Sequence, residues 1–264
     1  MRPADAQSNQ VGLMVRDLTV RFGGVTALDS LTLTIRPGEI VGVIGPNGAG
    51  KTTLFNVVTS VVRPSAGCVS LDGRDLVGLR QHQITALGLA RTFQNIRLFE
   101  DQTVLGNVLL AADCRRQDGV ISALLKSPSN RKAEHAAIAQ AQNALAFVGL
   151  TASEAELAGN LSYGGQRRLE IARALATNPR LVLLDEPAAG SNPIERQELA
   201  ALIRRIRAEG RGVTLIEHDM SMILELCDRV LVLEFGRTIA EGSPEAVRSD
   251  PNVIRAYLGE ADAA

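Results

Sequence analysis

The sequence predicts an α/β fold with buried parallel strands, and three observations favour it. Residues 39–44, 181–184 and 213–216 are short apolar runs, which is typical of strands buried on both faces. A glycine-rich loop and a helix start follow the first run, and a charged helix over 194–209 separates the other two. From about residue 103 to 160, Ala, Leu and Gln dominate and strand signals vanish. This change predicts an α-helical subdomain inserted into the α/β core.

The N-terminal part of the chain predicts several short β-strands. Residues 1–10 are polar and are expected to form a disordered tail. Two short apolar runs lie between residues 13 and 20, and Leu31–Ile35 alternates strictly, as a half-buried strand does. Residues 67–73 predict a further short strand closed by Asp-Gly.

These patterns divide the chain into three successive parts. Residues 11–98 form the first part of the core, 99–165 the helical subdomain, and 166–264 the second part of the core. Within the subdomain, Ala133–Val148 has the pattern of an amphipathic helix. Lys126–Asn130 reads Lys-Ser-Pro-Ser-Asn and is expected to be a loop.

Composition excludes several classes of function. The 264 residues carry a net charge of −1, only 3% are aromatic and none is Trp, so we expect no nucleic-acid partner. No apolar stretch approaches the roughly 18 residues of a membrane span. The polar N-terminus lacks a signal-peptide pattern, which favours a cytoplasmic location. Cys68, Cys114 and Cys227 have no metal-type spacing and are expected to be reduced thiols.

A phosphate-binding loop is predicted at residues 45–53, which fit the pattern G-x-x-x-x-G-K-[ST] between a strand and a helix. Its glycines allow successive N–H groups to point inward at the phosphates of a nucleotide. Lys51 adds a cation, and the Thr52 hydroxyl is suited to Mg²⁺. The expected binding residues are Gly45, Pro46, Asn47, Gly48, Ala49, Gly50, Lys51, Thr52 and Thr53.

Two acidic residues end the apolar strand at 181–184. Asp185 lies at the carboxyl end of this strand, where open α/β sheets bind ligands, and is expected to hold Mg²⁺. Glu186 follows and should project to the other side of the strand end, where it would orient the water that attacks the γ-phosphate.

A second anion site is predicted at the start of a helix over 167–175. Ser162 is a preferred N-cap residue, and Gly164 and Gly165 expose backbone N–H groups before Gln166. This element and the phosphate loop could clasp one nucleotide, either within one chain or across a dimer. Spacing alone does not decide between these arrangements.

Three motifs occur in one order: the phosphate loop, Leu-Ser-Tyr-Gly-Gly-Gln over 161–166, and Leu-Leu-Asp-Glu-Pro over 183–187. In this order they resemble the nucleotide-binding subunit of an ATP-binding cassette (ABC) transporter, over about residues 11–260. The resemblance implies a P-loop NTPase (RecA-like) core with an antiparallel β subdomain and an inserted α-helical subdomain. It also implies the cofactors ATP and Mg²⁺, and ATP hydrolysis coupled to transport. It also implies a head-to-tail dimer in which each ATP lies between the loop of one subunit and the 161–166 signature of the other.

The resemblance implies roles for further single residues. Gln94 resembles the glutamine that contacts Mg²⁺ and links ATP to the membrane subunit, and His218 resembles the histidine that touches the γ-phosphate. Phe22 lies where the family places an aromatic on adenine, although it could equally be a core residue at a strand end. The expected catalytic residues are Glu186, His218 and Lys51, and the expected metal ligands are Thr52, Gln94 and Asp185.

One position departs from the family pattern. In the loop after Pro187 the family has an apolar residue before Asp or Asn, and here Ser191 precedes Asn192. Since that loop packs across the dimer seam, we expect a weaker or rearranged contact there. Glu186 and His218 are both present, so we still expect hydrolysis.

Four segments resemble the longer ATPase subunit of importers of branched-chain and other hydrophobic amino acids. They are Arg91–Phe99, the lengthened insert 113–130, Tyr163–Ala172 and the tail 252–260. The resemblance implies a second ATPase subunit, two transmembrane permease subunits and, indirectly, an extracytoplasmic substrate-binding protein. It also implies a location at the cytoplasmic face of the cell membrane.

Other classes of ABC protein share the catalytic motifs. A urea or amide importer of the same family and an ABC exporter are the main alternatives. A soluble ABC ATPase acting on ribosomes or DNA would usually carry two cassettes or long coiled coils. A non-hydrolysing regulatory subunit is disfavoured because Glu186 and His218 are present.

Overall fold

The computed structural model describes residues 12–112 and 128–261. The predicted tail at 1–10, the residues 113–127 of the insert and Cys114 lie outside the described residues. The strands are β1 (Leu13–Phe22), β2 (Val25–Ile35), β3 (Ile40–Ile44), β4 (Ala66–Leu71), β5 (Arg74–Asp75), β6 (Leu89–Arg91), β7 (Leu181–Asp185), β8 (Gly212–Ile216), β9 (Arg229–Glu234) and β10 (Arg237–Gly242).

The described helices lie between these strands, in the described part of the predicted insert and at the C-terminal end of the described residues. They are α1 (Lys51–Val58), α2 (Gln81–Leu87), α3 (Val104–Ala112), α4 (Pro128–Val148), α5 (Tyr163–Ala176), α6 (Pro193–Ala208), α7 (Met220–Leu226), α8 (Pro244–Arg248) and α9 (Pro251–Ala261). None of them within the described ranges has the length and apolar character to cross a membrane.

An antiparallel sheet with the order β2-β1-β4-β5 forms the predicted β subdomain. The strand expected at 31–35 lies within β2, and the one expected at 67–73 corresponds to β4, which ends at Leu71. β1 runs through both predicted apolar runs as one strand. Its register against β2 shifts between Val15 and Leu18, where Asp17 has a φ of 48°, so an irregularity separates the two runs.

A second sheet, with the order β10-β9-β3-β8-β7-β6, carries the α/β core. β3, β6, β7, β8 and β9 pair in parallel, and only β10 is antiparallel to its neighbour. The carboxyl ends of β3, β8 and β7 therefore lie side by side. This edge brings together the loop after Ile44, the acids at 185–186 and the segment after Ile216.

The described part of the insert is helical, as the sequence predicts. The amphipathic helix expected at Ala133–Val148 lies within α4. The loop prediction for Lys126–Asn130 is wrong where the structure describes it, because α4 begins at Pro128. Proline suits a first helical position, since the N–H that it lacks would have no partner there.

Two clusters of buried side chains pack on the opposite faces of the parallel sheet. One joins the sheet to the antiparallel strands and α1, with Phe55 among its largest fully buried members. The other joins the sheet to the helical insert and α6, including Leu145, Leu169 and Ile203. The loops that carry the predicted site thus extend from rigid, fully packed strands.

Candidate nucleotide site

The predicted phosphate loop has the backbone conformation that a glycine sequence permits. Gly45, Gly48 and Gly50 have φ values of 146°, 77° and 103°, a region in which side chains are strained. A Cβ on Gly45 would lie 2.0 Å from the Leu233 carbonyl oxygen, and one on Gly50 would lie 2.6 Å from that of Ala27. Only glycine fits these two positions, because backbone atoms occupy the space of the missing Cβ.

The side chain of Lys51 lies inside this loop. Its Nζ donates to the carbonyl oxygens of Gly45 at 2.5 Å and Pro46 at 2.8 Å. The side chain is buried, and it begins α1, whose N-terminal N–H groups favour an anion. The ammonium therefore lies where a bound phosphate would meet both a cation and backbone donors.

A cleft of about 180 Å³ opens beside the loop. Its lining combines loop residues with the two predicted catalytic side chains from neighbouring strand ends. The lining residues are Ala27, Asn47, Gly48, Ala49, Gly50, Lys51, Thr52, Thr53, Glu186 and His218. A loop of backbone donors with an enclosed lysine fits a nucleoside triphosphate. Thr52 beside it is exposed, and its hydroxyl suits an Mg²⁺ ion.

Glu186 is held at both carboxylate oxygens. Gln94 Nε2 donates to Oε2 at 2.8 Å, and His218 Nε2 lies 2.8 Å from Oε1. Glu186 has a backbone φ of 47°, a region that residues other than Gly, Asn and Asp rarely occupy. The predicted residues Glu186, His218 and Gln94 thus form one hydrogen-bonded group.

Asp185 has a partner that the sequence did not indicate. Arg91 Nη2 donates to its Oδ2 at 2.7 Å, and both side chains are buried. Arg91 also donates to Asn56 Oδ1 and Thr59 Oγ1. The available sequence signal was only that Arg91 ends a short apolar strand just before the predicted Gln94. Nothing in the sequence pairs Arg91 with Asp185, which is 94 residues away.

Glu217 is a buried acid that sequence reasoning missed. Its oxygens accept the backbone N–H of Ala188 at 2.8 Å and that of His218 at 3.3 Å. Burial raises the pKa of this carboxyl group, and the nearby charge of Glu186 raises it further. Glu217 thus connects the loop after Glu186 to His218. The available sequence signal for Glu217 was its position directly before His218.

The predicted signature lies at the N-terminus of α5 and does not line the described cleft. Ser162 caps the helix by accepting the N–H of Gly165 at 3.2 Å, as predicted. The helix begins at Tyr163 rather than at Arg167, so both glycines lie in its first turn. The Gln166 side chain donates back to the Leu161 carbonyl oxygen at 3.3 Å.

Six other predicted positions lie outside the cleft lining: Gly45, Pro46, Gln94, Asp185, Phe22 and Ser191. Phe22 ends β1 and is about half exposed, so its ring is accessible rather than packed in the core. Ser191 is buried, and its backbone carbonyl accepts from Arg196 while Asn192 caps α6. The predicted effect of Ser191 on a dimer seam remains a prediction.

Comparison with known proteins decides the family. Residues 28–189, more than half of the chain, match the family described as ABC transporter. The chain belongs to the ABC transporter family. Its ATP-binding subunits are ATPases, which accords with the glycine loop and the acids at the sheet edge. Residues 237–263 match a further family, described as branched-chain amino acid ATP-binding cassette transporter.

Named relatives of this ABC subunit span nearly its whole length. It is 46% identical over 94% of the chain to the high-affinity branched-chain amino acid transport ATP-binding protein LivG of Escherichia coli K12, covering 98% of that protein. It is 45% identical, with the same coverage, to BraF of Pseudomonas aeruginosa, which carries the same description. Similarity to a lipopolysaccharide export ATP-binding protein of Acidithiobacillus ferridurans is lower, at 37% over 87% of the chain and 89% of that protein.

Solved structures share the fold. The ADP conformation of an ATP-binding cassette from an ABC transporter aligns with a TM-score of 0.82 and 30% identity, over 95% of this chain and 100% of that one. A dimeric bacterial ABC transporter cassette aligns with a TM-score of 0.74 and 25% identity, over 88% of this chain and 98% of that one. The prediction of an ABC-type α/β fold is therefore confirmed.

Proposed function

We propose that this protein is the ATP-hydrolysing subunit of an ABC importer for branched-chain or other hydrophobic amino acids. The observation that carries the proposal is the match of residues 237–263 to the branched-chain amino acid cassette family. The near-complete alignment with LivG and BraF supports it. The exporter alternative is disfavoured, because the export relative is less similar and covers less of the chain. A urea or amide importer is not favoured by any of these similarities.

The placement of the signature supports a head-to-tail dimer. Ser162, Gly164, Gly165 and Gln166 do not line the cleft beside Lys51 in the described chain. A second ATPase subunit would bring its own signature to this cleft, and a dimeric cassette of the same fold is known. Two permease subunits and a substrate-binding protein would complete the transporter at the cytoplasmic face of the cell membrane.

The chain's own residues suggest how ATP is held and cleaved. Lys51 and the N–H groups of the loop would bind the phosphates, and Phe22 would offer its exposed ring to the base. Glu186 would accept a hydrogen bond from the attacking water and orient it. His218, whose Nε2 contacts Glu186 Oε1, would keep that carboxylate in place and extend toward the transferred phosphoryl group.

Thr52, Gln94 and Asp185 would hold the Mg²⁺ of Mg-ATP, which supplies positive charge to the phosphate oxygens. The Gln94 amide donates to Glu186 here, so its carbonyl oxygen faces away from that bond and is suited to a cation. Asp185 uses only Oδ2 for Arg91, which leaves Oδ1 for a second partner.

Uptake of labelled leucine and labelled urea tests the proposal directly. Cells lacking the gene would be compared with the parent, and with cells complemented by the wild type or by Glu186→Gln. We expect leucine uptake to be lost and restored by the wild type only. Loss of urea uptake with normal leucine uptake would assign the protein to the urea branch. No change in either would contradict the importer proposal.

A further inference from the structure

Two opposite charges lie buried one turn apart on α5, the helix that begins after Ser162. The side chains of Arg167 and Glu170 are 3% and 5% exposed, and Arg167 Nη1 donates to Glu170 Oε2 across 2.9 Å. A buried ion pair often adds little net stability, because the cost of removing both charges from water offsets their attraction. Stability of the helix alone therefore does not account for this pair.

Both members of the pair bind the backbone of the loop at Phe93 and Gln94. Arg167 donates to the carbonyl oxygen of Phe93 at 2.8 Å and to that of Gln94 at 2.9 Å. Glu170 Oε1 accepts the N–H of Phe93 at 3.1 Å. Three backbone groups of two consecutive residues are thus fixed to one turn of α5. The planar guanidinium makes this possible, since its several donors reach two carbonyls and a carboxylate together.

The fixed loop leads directly to the predicted catalytic acid. The side chain of Gln94 donates to Glu186 at 2.8 Å, so a shift of the Gln94 backbone would move a partner of that carboxylate. A continuous set of contacts therefore runs from α5 through Arg167 and Gln94 to Glu186. Burial raises the pKa of Glu170, while its bonds to Phe93 and Arg167 oppose that rise.

We propose that Arg167 and Glu170 are positioning residues that couple the two ATP sites of the dimer. The inference rests on the proposed function, in which Ser162 at the start of α5 faces the partner's ATP. Engagement of that ATP would shift the first turn of α5, and the ion pair would carry the shift to Gln94 and thence to Glu186. Hydrolysis at one site would then depend on nucleotide at the other.

The double variant Arg167→Met/Glu170→Leu tests this in the assembled transporter. It removes both buried charges together and so should fold, whereas Arg167→Met alone would leave Glu170 unpaired. We expect an unchanged Kd for ATP and a roughly 10-fold lower kcat, because Gln94 would be misplaced. The Hill coefficient for the ATP dependence of hydrolysis should exceed about 1 in the wild type and be about 1 in the double variant. Arg167→Lys keeps the positive charge but loses the planar set of guanidinium donors, and it should reduce the Hill coefficient in the same way.

Arg168→Met is the matched control. Arg168 is the next residue on α5, but its side chain is 37% exposed and lies 3.8 Å from Glu198. It should leave the kcat and the Hill coefficient unchanged, and thermal unfolding would verify the fold of every variant. Unchanged kcat and Hill coefficient in the folded double variant, or a Hill coefficient of about 1 in the wild type, would overturn the inference. A wild-type transporter that hydrolyses no ATP would contradict the proposed function itself.

Discussion

Arg91 and Asp185 form a buried ion pair at the edge of the parallel sheet, with Nη2 and Oδ2 2.7 Å apart and side chains 6% and 4% exposed. The Cζ atom of Arg91 lies 5.5 Å from the centroid of the Phe55 ring and 5.1 Å from that of the Phe93 ring. The pair joins the end of β6 to the end of β7. It thereby sets the orientation of a carboxylate that we propose as an Mg²⁺ ligand.

We expect Arg91→Met to destabilise the protein strongly, because Asp185 would remain buried without a countercharge. The free energy of unfolding should fall by about 3–5 kcal/mol. Urea denaturation followed by circular dichroism measures it. Arg180→Met provides the control, since the Arg180–Asp72 pair is equally short at 2.7 Å but 72% and 33% exposed. That variant should lose only about 0–1 kcal/mol, and equal losses in both would contradict the importance of burial.

Lys51→Ala should weaken ATP binding by roughly 10- to 100-fold, as expected for loss of a charged donor to a phosphate. The loop glycines and their N–H groups would remain, so the fold should be retained. Titration calorimetry with ATP and Mg²⁺ measures the Kd. The control is Arg74→Ala, which removes an exposed cation from β5 of the other sheet. An unchanged Kd for Lys51→Ala would refute the assignment of the phosphate loop.

His218→Ala should lower kcat by roughly 100-fold with a much smaller change in the Kd for ATP. The physical reason is that Glu186 would keep only its bond from Gln94 and would lose the contact at Oε1. Steady-state ATP hydrolysis by the assembled transporter measures kcat. His82→Ala removes an exposed histidine on α2 and should leave hydrolysis unchanged. If both variants behaved alike, His218 would have no place in the catalytic group.

The sequence predicted those parts of the site that are local in the chain. The phosphate loop, the acids after β7 and the N-cap at Ser162 follow from short strings whose conformation depends mainly on their own residues. The contacts of Arg91 with Asp185 and of Arg167 with Gln94 were not predicted. They join residues 94 and 73 positions apart, and such contacts depend on how strands and helices pack.

The same distinction explains the fold predictions. The strict alternation of Leu31–Ile35 and the apolar run at 181–184 identified strands, because burial imposes a local period. At Pro128, a loop-forming string gave the wrong prediction because proline is favourable at both a turn and a helix start. Which of these forms depends on the packing of α4 against its neighbours.

Cys227 should be unreactive in the folded protein. Burial raises the pKa of its thiol from 9.0 to about 12, so very little thiolate exists at neutral pH. Labelling with a chromogenic disulfide at pH 8 in a Cys114→Ser background measures this. We expect the exposed Cys68 to react at once and Cys227 only after unfolding in urea. Rapid labelling of both thiols would show that the packing around β3 and α7 is looser than described.

Hydrolysis and retention of ATP by the Glu186→Gln transporter test the proposed catalytic role most directly. Glutamine keeps the shape of the side chain but not the negative charge that orients water. We expect ATP to bind with unchanged Kd, hydrolysis to fall by at least roughly 100-fold, and the ATP-bound dimer to accumulate in size-exclusion chromatography. Hydrolysis at the wild-type rate would contradict the assignment of Glu186 as the residue that orients the attacking water.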